Sequence, residues 1–315
     1  MTMIDARLFL AVAATILMNT TANAAPTMQR AWVSLEGVDA PTCGSGGTPC
    51  RSFQYTHDNI VVNGGSIFVK DSAGYGPIAI SKSISIINDG AAMAAVFAAS
   101  GNAISVTGGG DVVLKGLTLD GGGSAVNGVA FTSAGGSLTM ANCTVRGFAS
   151  NGVSVVPIHD GSIAIVDSLI TGNAGAGVYT FGDSSGTLTL TLSRDRIVNN
   201  GFTTMGYGVR LTGGGAAYQF STIESTVIGE NGIGLSVEAS GSNIVSGALF
   251  DSKVLGSGNA SIKVTSGATV RLEKTSVQSY FPSVGITNNG SIVSFNDNAI
   301  VDSVTGNLIT TTSLR

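Results

Sequence analysis

The sequence predicts an all-β solenoid of stacked parallel coils with a short capping helix near its N-terminus, and three observations predict it. A short phrase keeps returning: a charged or small residue, a small polar one, any residue, then a branched aliphatic. It reads Asn142-Cys143-Thr144-Val145, Asp167-Ser168-Leu169-Ile170, Glu224-Ser225-Thr226-Val227 and Asp251-Ser252-Lys253-Val254, with weaker copies ending at Leu119, Ile197, Val277 and Ile300. Successive anchors lie 23 to 30 residues apart, the period of a repeat whose units bury their apolar faces only against their neighbours. Between the phrases run strand-like segments such as Gly152-Val153, Gly177-Val178, Gly208-Val209 and Gly232-Ile233, separated by turns such as Gly121-Gly122-Gly123. No helix-period segment separates them, so the strands must stack as parallel coils. Finally, 45 of 315 residues are glycine and only 11% are charged, against about 25% charged in an average domain.

Taken in order, residues 1–24 have the form of an export signal. Arg7 supplies the charge, Leu8 to Met18 the apolar stretch, and Ala22-Asn23-Ala24 the small-x-small cleavage pattern. The expected location is therefore outside the cytoplasm: secreted, periplasmic or on the cell surface. No run approaches the roughly 20 apolar residues of a membrane-spanning helix. The mean hydropathy of +0.37 thus reflects Val, Ile and Ala in strands. Residues 25–75 form a capping module. A strand is expected around Trp32 to Leu35, then a loop bracketed by Cys43 and Cys50, then a helix over Ser52 to Val62 with Phe53, Thr56 and Ile60 on one face. Asn63-Gly64-Gly65 is the expected left-handed stop. The helix is placed to cover the raw edge of the first coil, which would otherwise template aggregation. Residues 76–315 are the coils, led into by alternating segments at Ser66 to Lys70 and Ile78 to Ile87, where Ile84, Ile86 and Ile87 are candidate core positions. One domain is expected, and a monomer.

Charge excludes one class of partner. A net charge of −4 with thinly spread Lys and Arg offers no basic stripe to displace counterions from phosphate, so no nucleic-acid partner is expected. In an exported chain a Cys43–Cys50 disulfide is expected. Cys143 stands in the small-polar column of the repeat, where it is expected to be a buried side chain.

The segments Ala31-Trp32-Val33-Ser34, Gly37-Val38-Asp39, Cys43-Gly44, Pro49-Cys50-Arg51, Gly74-Tyr75-Gly76-Pro77 and Ser83-Ile84-Ser85-Ile86 resemble the opening module of exported bacterial β-helix proteins. The whole arrangement resembles the right-handed parallel β-helix of the pectin-lyase-like superfamily. That resemblance implies fold and export, and says little of activity, because function lives in sites grafted on a fold. The motifs of the superfamily's enzymes are missing: Asn-Thr-Asp, Asp-Asp, Gly-His-Gly and Arg-Ile-Lys of polygalacturonases, and Tyr-Gly-x-Asp-Pro-His of alginate epimerases, do not occur.

Side chains alternate in a strand, so the residue two before each anchor shares its inward face. Cys143, Ser168, Ser225, Ser252, Thr275 and Asn298 then form an inner polar column. Asp195 falls in the same column and is expected to escape it through a bulge, since an unpaired buried charge is costly. One residue earlier, Asn142, Asp167, Arg194, Glu224, Asp251, Lys274 and Asp297 form an outward ladder. Glu224 above Asp251, flanked by Arg194 and Lys274, is the candidate ligand or Ca²⁺ site, because hard oxygen donors from adjacent coils suit that ion; no other cofactor is expected. The resemblance to pectate lyases implies a similar placement with an Arg or Lys as base. His159-Asp160-Gly161 is expected in a turn, His57 on the capping helix, and Asn151, Asn173, Asn199, Asn200 and Asn231 at turns, bonded to their own backbone. The expected function is non-catalytic binding of a polysaccharide or cell-surface glycan, or surface adhesion. The alternative is a polysaccharide lyase or related carbohydrate-active enzyme acting through Glu224 and Asp251.

Overall fold

The computed structural model describes residues 25–90, 93–182, 186–201, 205–214, 217–280 and 283–313; the expected export signal at 1–24 lies outside them. The described chain winds through three parallel sheets, here A, B and C, of 12, 10 and 10 strands. Each coil contributes one strand to A, then B, then C, and every pairing is with the coil before or after. Coils stack because each strand alternates: one side chain faces the axis, the next faces solvent. Three inward rows fill the axis. Sheet A supplies Ile86, Leu114, Met140, Ile165, Leu192 and Ile223; sheet C supplies Ile104, Val129, Val153, Val178, Val209 and Leu235. The repeat anchors form the sheet B row, with Leu119, Val145, Ile170, Ile197, Val254 and Val277 all fully buried.

One anchor is displaced by a residue. Ile228, not Val227, pairs with Ile197 and Val254, and it is the buried one. Its coil carries two small polar residues followed by two aliphatics, so the phrase fits in either of two frames. The actual frame puts Thr226 inward and Ser225 at the corner, and leaves Glu224 as the last residue of the sheet A strand Tyr218–Glu224, beside Phe250. The same coil reads Gly234-Leu235 in sheet C, where Gly232-Ile233 is expected. At the far end Ile300 is half-buried.

The corner between sheets A and B is a single residue in the left-handed region. Asn142, Asp167, Arg194, Ser225, Asp251 and Lys274 hold φ of 46 to 57° there. So abrupt a turn leaves the next amide without a sheet partner, and a side chain one coil on accepts it. Cys143 N–H donates to Ser168 Oγ at 3.1 Å, Ser168 N–H to Asp195 Oδ1 at 2.8 Å, Asp195 N–H to Thr226 Oγ1 at 3.2 Å and Thr226 N–H to Ser252 Oγ at 3.2 Å. Asp195 is therefore a rung of the inner column, 1% exposed, and does not bulge out. Desolvation pushes its carboxyl up to about 7 against the two amides it accepts from, so it is protonated below neutrality and titrates around it. Burial likewise raises the Cys143 thiol, to about 11.

The corner between sheets B and C repeats the device with asparagine. Asn173, Asn200 and Asn231 are buried below Phe148. Phe148 N–H donates to Asn173 Oδ1 at 3.1 Å, Asn173 N–H to Asn200 Oδ1 at 3.2 Å and Asn200 N–H to Asn231 Oδ1 at 2.8 Å. The expectation that these side chains serve their own turn is thus corrected: their oxygens serve the coil before. Gly152, Gly177 and Gly208 pack against this ladder. A Cβ on Gly177 would lie 2.6 Å from Ile197 Cγ2 and 2.8 Å from Asn200 Nδ2, so no larger residue fits.

The N-terminal module joins the coils through shared sheets. Strand Met28–Val33 adds to Val61–Val69 at the edge of sheet A. Helix Phe53–Asn59, capped by Ser52, ends at Ile60, earlier than the expected Asn63-Gly64-Gly65 stop, because the chain must re-enter sheet A at Val61. It buries Phe53, Thr56 and Ile60. The helix covers the edge of sheet C, where Ala79 N–H donates to Gln54 Oε1 at 2.7 Å and Ser81 N–H to His57 Nε2 at 3.3 Å. Burial lowers the His57 pKa, consistent with that accepting nitrogen. Cys43 and Cys50 are disulfide-bonded, with Cα atoms 4.9 Å apart. The expected run Ile78 to Ile87 is two strands, Ile78–Ile80 in sheet C and Ile84–Ile87 in sheet A, with Ile84 and Ile86 buried and Ile87 half-buried.

Two stability predictions follow from the corners. The unfolded chain releases the Asp195 proton near its ordinary 3.8 while the folded chain holds it to about 7, so stability drains away as pH rises through that window. Asp195→Asn removes the titration but turns an NH2 donor toward the Ser168 or Ser193 amide, so the variant should lose the pH dependence between about pH 4 and 8 that the native chain shows, read by urea unfolding at each pH. Asn200→Ala orphans the Asn173 amide and should cost about 2–3 kcal/mol by the same measurement.

Candidate functional site

The residues singled out in the sequence converge only in part. Glu224 does not stand above Asp251, because the frame shift puts Ser225 in the corner column. Arg194 turns to the preceding coil and grips Asp167 with both ends, Nε to Oδ1 at 2.7 Å and Nη2 to Oδ2 at 2.8 Å. That grip draws the Asp167 carboxyl below its ordinary value and lifts the Arg194 guanidinium above its own. Lys274 N–H donates to Asp297 Oδ1 at 3.1 Å, a backbone contact that leaves its ammonium out of the ladder. The alternating charge ladder is thus one tight pair, Asp167–Arg194, and the stacked carboxylates needed for the Ca²⁺ reading are absent from it. Among the described residues the group with metal-binding proximity is Asp39, Cys43 and Cys50, whose sulfurs are spent on the disulfide.

The outward face of sheet C holds a more organised cluster. Val178, Val209 and Leu235 point to the axis, so the residues after them, Tyr179, Arg210 and Ser236, form one outward row on adjacent coils. Arg210 Nη2 lies 2.8 Å from Glu238 Oε2 and its Nε 3.3 Å from Oε1, and Ser236 Oγ donates to the same carboxylate at 2.8 Å. The guanidinium sits 4.8 Å from the centre of the Tyr207 ring and 5.9 Å from that of Tyr179, within range of a cation–π contact. Burial alone would raise the Glu238 carboxyl, but donation by Arg210 and Ser236 outweighs it and holds the group below its ordinary value. Glu238 in turn raises Arg210. Both side chains are therefore charged and fixed. Beside them opens a cavity of about 370 Å³ walled by Tyr179, Tyr207 and Arg210 and floored by Asn151 and Gly175. This is a rigid platform of two rings and a guanidinium, with amide and hydroxyl groups at its edge.

Sequence reasoning missed the platform because its members lie on three coils, 28 to 31 residues apart from one coil to the next. The signal was present: once Gly177-Val178 and Gly208-Val209 are aligned, the next residue of each lies outward in the same row. His159 and Asp160 fall in a loop, where Asp160 Oδ1 accepts from Thr187 N–H at 2.7 Å.

Comparison with known proteins bears on the fold. Residues 52–222 match the family model described as the right-handed beta helix region, and the chain belongs to that family. Pectate lyase Pel9A is similar in fold, with a TM-score of 0.57 and 15% identity over 91% of this chain and 79% of that one. The A-module of the mannuronan C-5 epimerase AlgE4 of Azotobacter vinelandii aligns with a TM-score of 0.42 and 12% identity over 79% of this chain and 87% of that one. No curated protein matches the chain. The fold is the pectin-lyase-like parallel β-helix. No helix among the described residues is long and apolar enough to cross a membrane.

The brace between Arg210 and Glu238 is open to test. Its lowered carboxyl means the pair stabilises the fold above pH 4.5 and stops doing so as acid protonates Glu238. With both groups partly solvated, Glu238→Gln should cost about 1 kcal/mol at pH 7 and nearly nothing at pH 3, read by denaturant unfolding at each pH.

Proposed function

We propose that the protein is an exported polysaccharide-binding module that holds a glycan against the outer face of sheet C and leaves it intact. The observation that carries this reading is the braced platform, in which Tyr179 and Tyr207 flank an Arg210 already fixed by Glu238. Ring faces and a few convergent polar groups in a preformed concavity are what saccharide recognition requires, and fixing the side chains beforehand lowers the entropy lost on binding.

The same electrostatics favour binding over cleavage. A lyase base must be able to give up its proton near working pH, whereas Glu238 makes Arg210 hold its proton more strongly. A glycosidase acid must keep its proton, which calls for a raised pKa, and Glu238 is lowered. Asp195 has a raised carboxyl, but it is sealed inside the coils. Export rests on residues 1–24, and the likeness to pectate lyase Pel9A supports a carbohydrate ligand by fold analogy alone.

Titration calorimetry against a panel of soluble plant and bacterial polysaccharides should find at least one ligand, and Tyr207→Ala should weaken it about tenfold, the loss of an aromatic contact worth roughly 1.4 kcal/mol. A panel with no ligand sinks the reading. Release of unsaturated products from a bound polymer would overturn its non-catalytic part.

A further inference from the structure

We propose that sheet B carries a second, separate glycan site, a groove along the coil axis in which Arg196 takes an anionic group of a linear polysaccharide. It goes beyond the sheet C reading and stands on different residues.

Two cavities of about 460 and 370 Å³ share Arg196 and Val198 and so adjoin along the coil axis, together forming the proposed groove. Its floor is the outward face of sheet B, where strands Leu169–Thr171, Arg196–Val198, Val227–Gly229, Lys253–Ser257 and Ser276–Ser279 lie side by side. Five strands at about 4.8 Å spacing give a groove roughly 19 Å long, a shape for a chain and not for a compact ligand. Gly229 opens a notch in it: the residues before and after it in the row, Val198 and Leu255, have branched side chains and Gly229 has none. Tyr280 closes one end, half exposed, its ring lying over Gly256, where a Cβ would come within 2.9 Å of ring carbons.

Charge indicates the ligand's chemistry. Lys115, Arg146, Arg194 and Arg210 are each paired with a carboxylate one coil away. Arg196 has no carboxylate partner among the described residues, though it stands at the junction of both cavities. Lys253 lies two coils on in the same outward row, through Val227, about 10 Å from Arg196 and beside the groove, while the lining carboxylate of Asp167 is taken up by Arg194. Glu230 and Gln278 line the cavity near Tyr280 and offer acceptors and donors to sugar hydroxyls. Repeated cations in line with a groove complement a polymer with repeated anionic groups. Carboxylate and sulfate share that chemistry.

The full chain is titrated with polygalacturonate for carboxylate, dextran sulfate for sulfate, and neutral dextran, with melting followed in parallel. One charged polymer should bind with an affinity that falls as salt rises. Arg196→Ala should weaken it about tenfold or more and Arg196→Lys less, as expected for losing or blunting a charge-assisted contact. Gly229→Leu fills the notch with the kind of side chain its row already holds and should weaken binding; its Cβ would lie 3.2 Å from the Leu255 carbonyl oxygen, so a small drop in melting temperature is expected and binding is compared below it. Tyr207→Ala in the same titration separates the sites. Loss through Tyr207 alone overturns the sheet B site and leaves the sheet C reading standing; loss through Arg196 and Gly229 alone supports the sheet B site and counts against sheet C; two independent partial losses support both. Neither charged polymer binding, or wild-type affinity in both sheet B variants, overturns the proposal.

Discussion

The structure depends on how it turns its corners. From Asn142 to Lys274 each coil passes from sheet A to B through one residue with positive φ, and five coils pass so from B to C; outside glycine such backbone costs of order 1 kcal/mol or more. Gly147, Gly172, Asn199, Glu230 and Gly256 hold φ of 54 to 71° at the second corner, as the corner residues of the first hold 46 to 57°. A one-residue corner keeps the sheets close, which closes the aliphatic core, but it strands the following amide. The polar columns answer that amide one coil away, each bond contributing about 1 kcal/mol net. Strain within a coil is thereby offset between coils, so the offset exists only when coils are stacked, and a lone coil has no reason to hold its corners. This is the physical content of a repeat that cannot fold by itself.

That dependence explains which parts of the fold are legible in the sequence. The aliphatic rows and the small polar column recur because geometry admits few residue types there, and the period can be read from them. Glycine at 152, 177 and 208 is forced by contact with the asparagine ladder, so those positions also repeat. Legibility fails where two frames satisfy the same constraint. Ser225-Thr226-Val227-Ile228 fits the corner in either register, and a shift of one residue exchanges inward for outward. Choosing the wrong frame set Glu224 over Asp251 and so created a carboxylate pair that the molecule does not have.

Asp195 was illegible for a different reason. The sequence shows a carboxyl in a polar column, and the cost of burying a charge argues for expelling it. What the sequence does not show is that the site supplies two amides, from Ser168 and Ser193, and permits the group to stay protonated. The rung asks for an acceptor, and a neutral carboxylic acid serves as well as an amide or hydroxyl. The sheet C cluster is intermediate. Its rows follow from alternation, but the pairing of Arg210 with Glu238 crosses one coil and one row, a step that periodicity alone does not select.

A solenoid built this way divides its polar residues into two populations with different tasks. Those in the inner columns are buried and committed to backbone, so they carry architecture and no recognition. Those on the outward rows are free of backbone duty, and four of the cations are tied to a neighbouring coil: Lys115 to Asp89, Arg146 to Asp120, Arg194 to Asp167 and Arg210 to Glu238. Each pair spans one repeat, and each is worth little alone because water screens it. Arg196 has no carboxylate partner among the described residues and stands where two cavities adjoin, so neither the corners nor the coil-to-coil pairing accounts for it. The same reasoning separates the two outer faces: on sheet C the cation is satisfied and its rings are the exposed asset, whereas on sheet B the charge itself is what solvent meets.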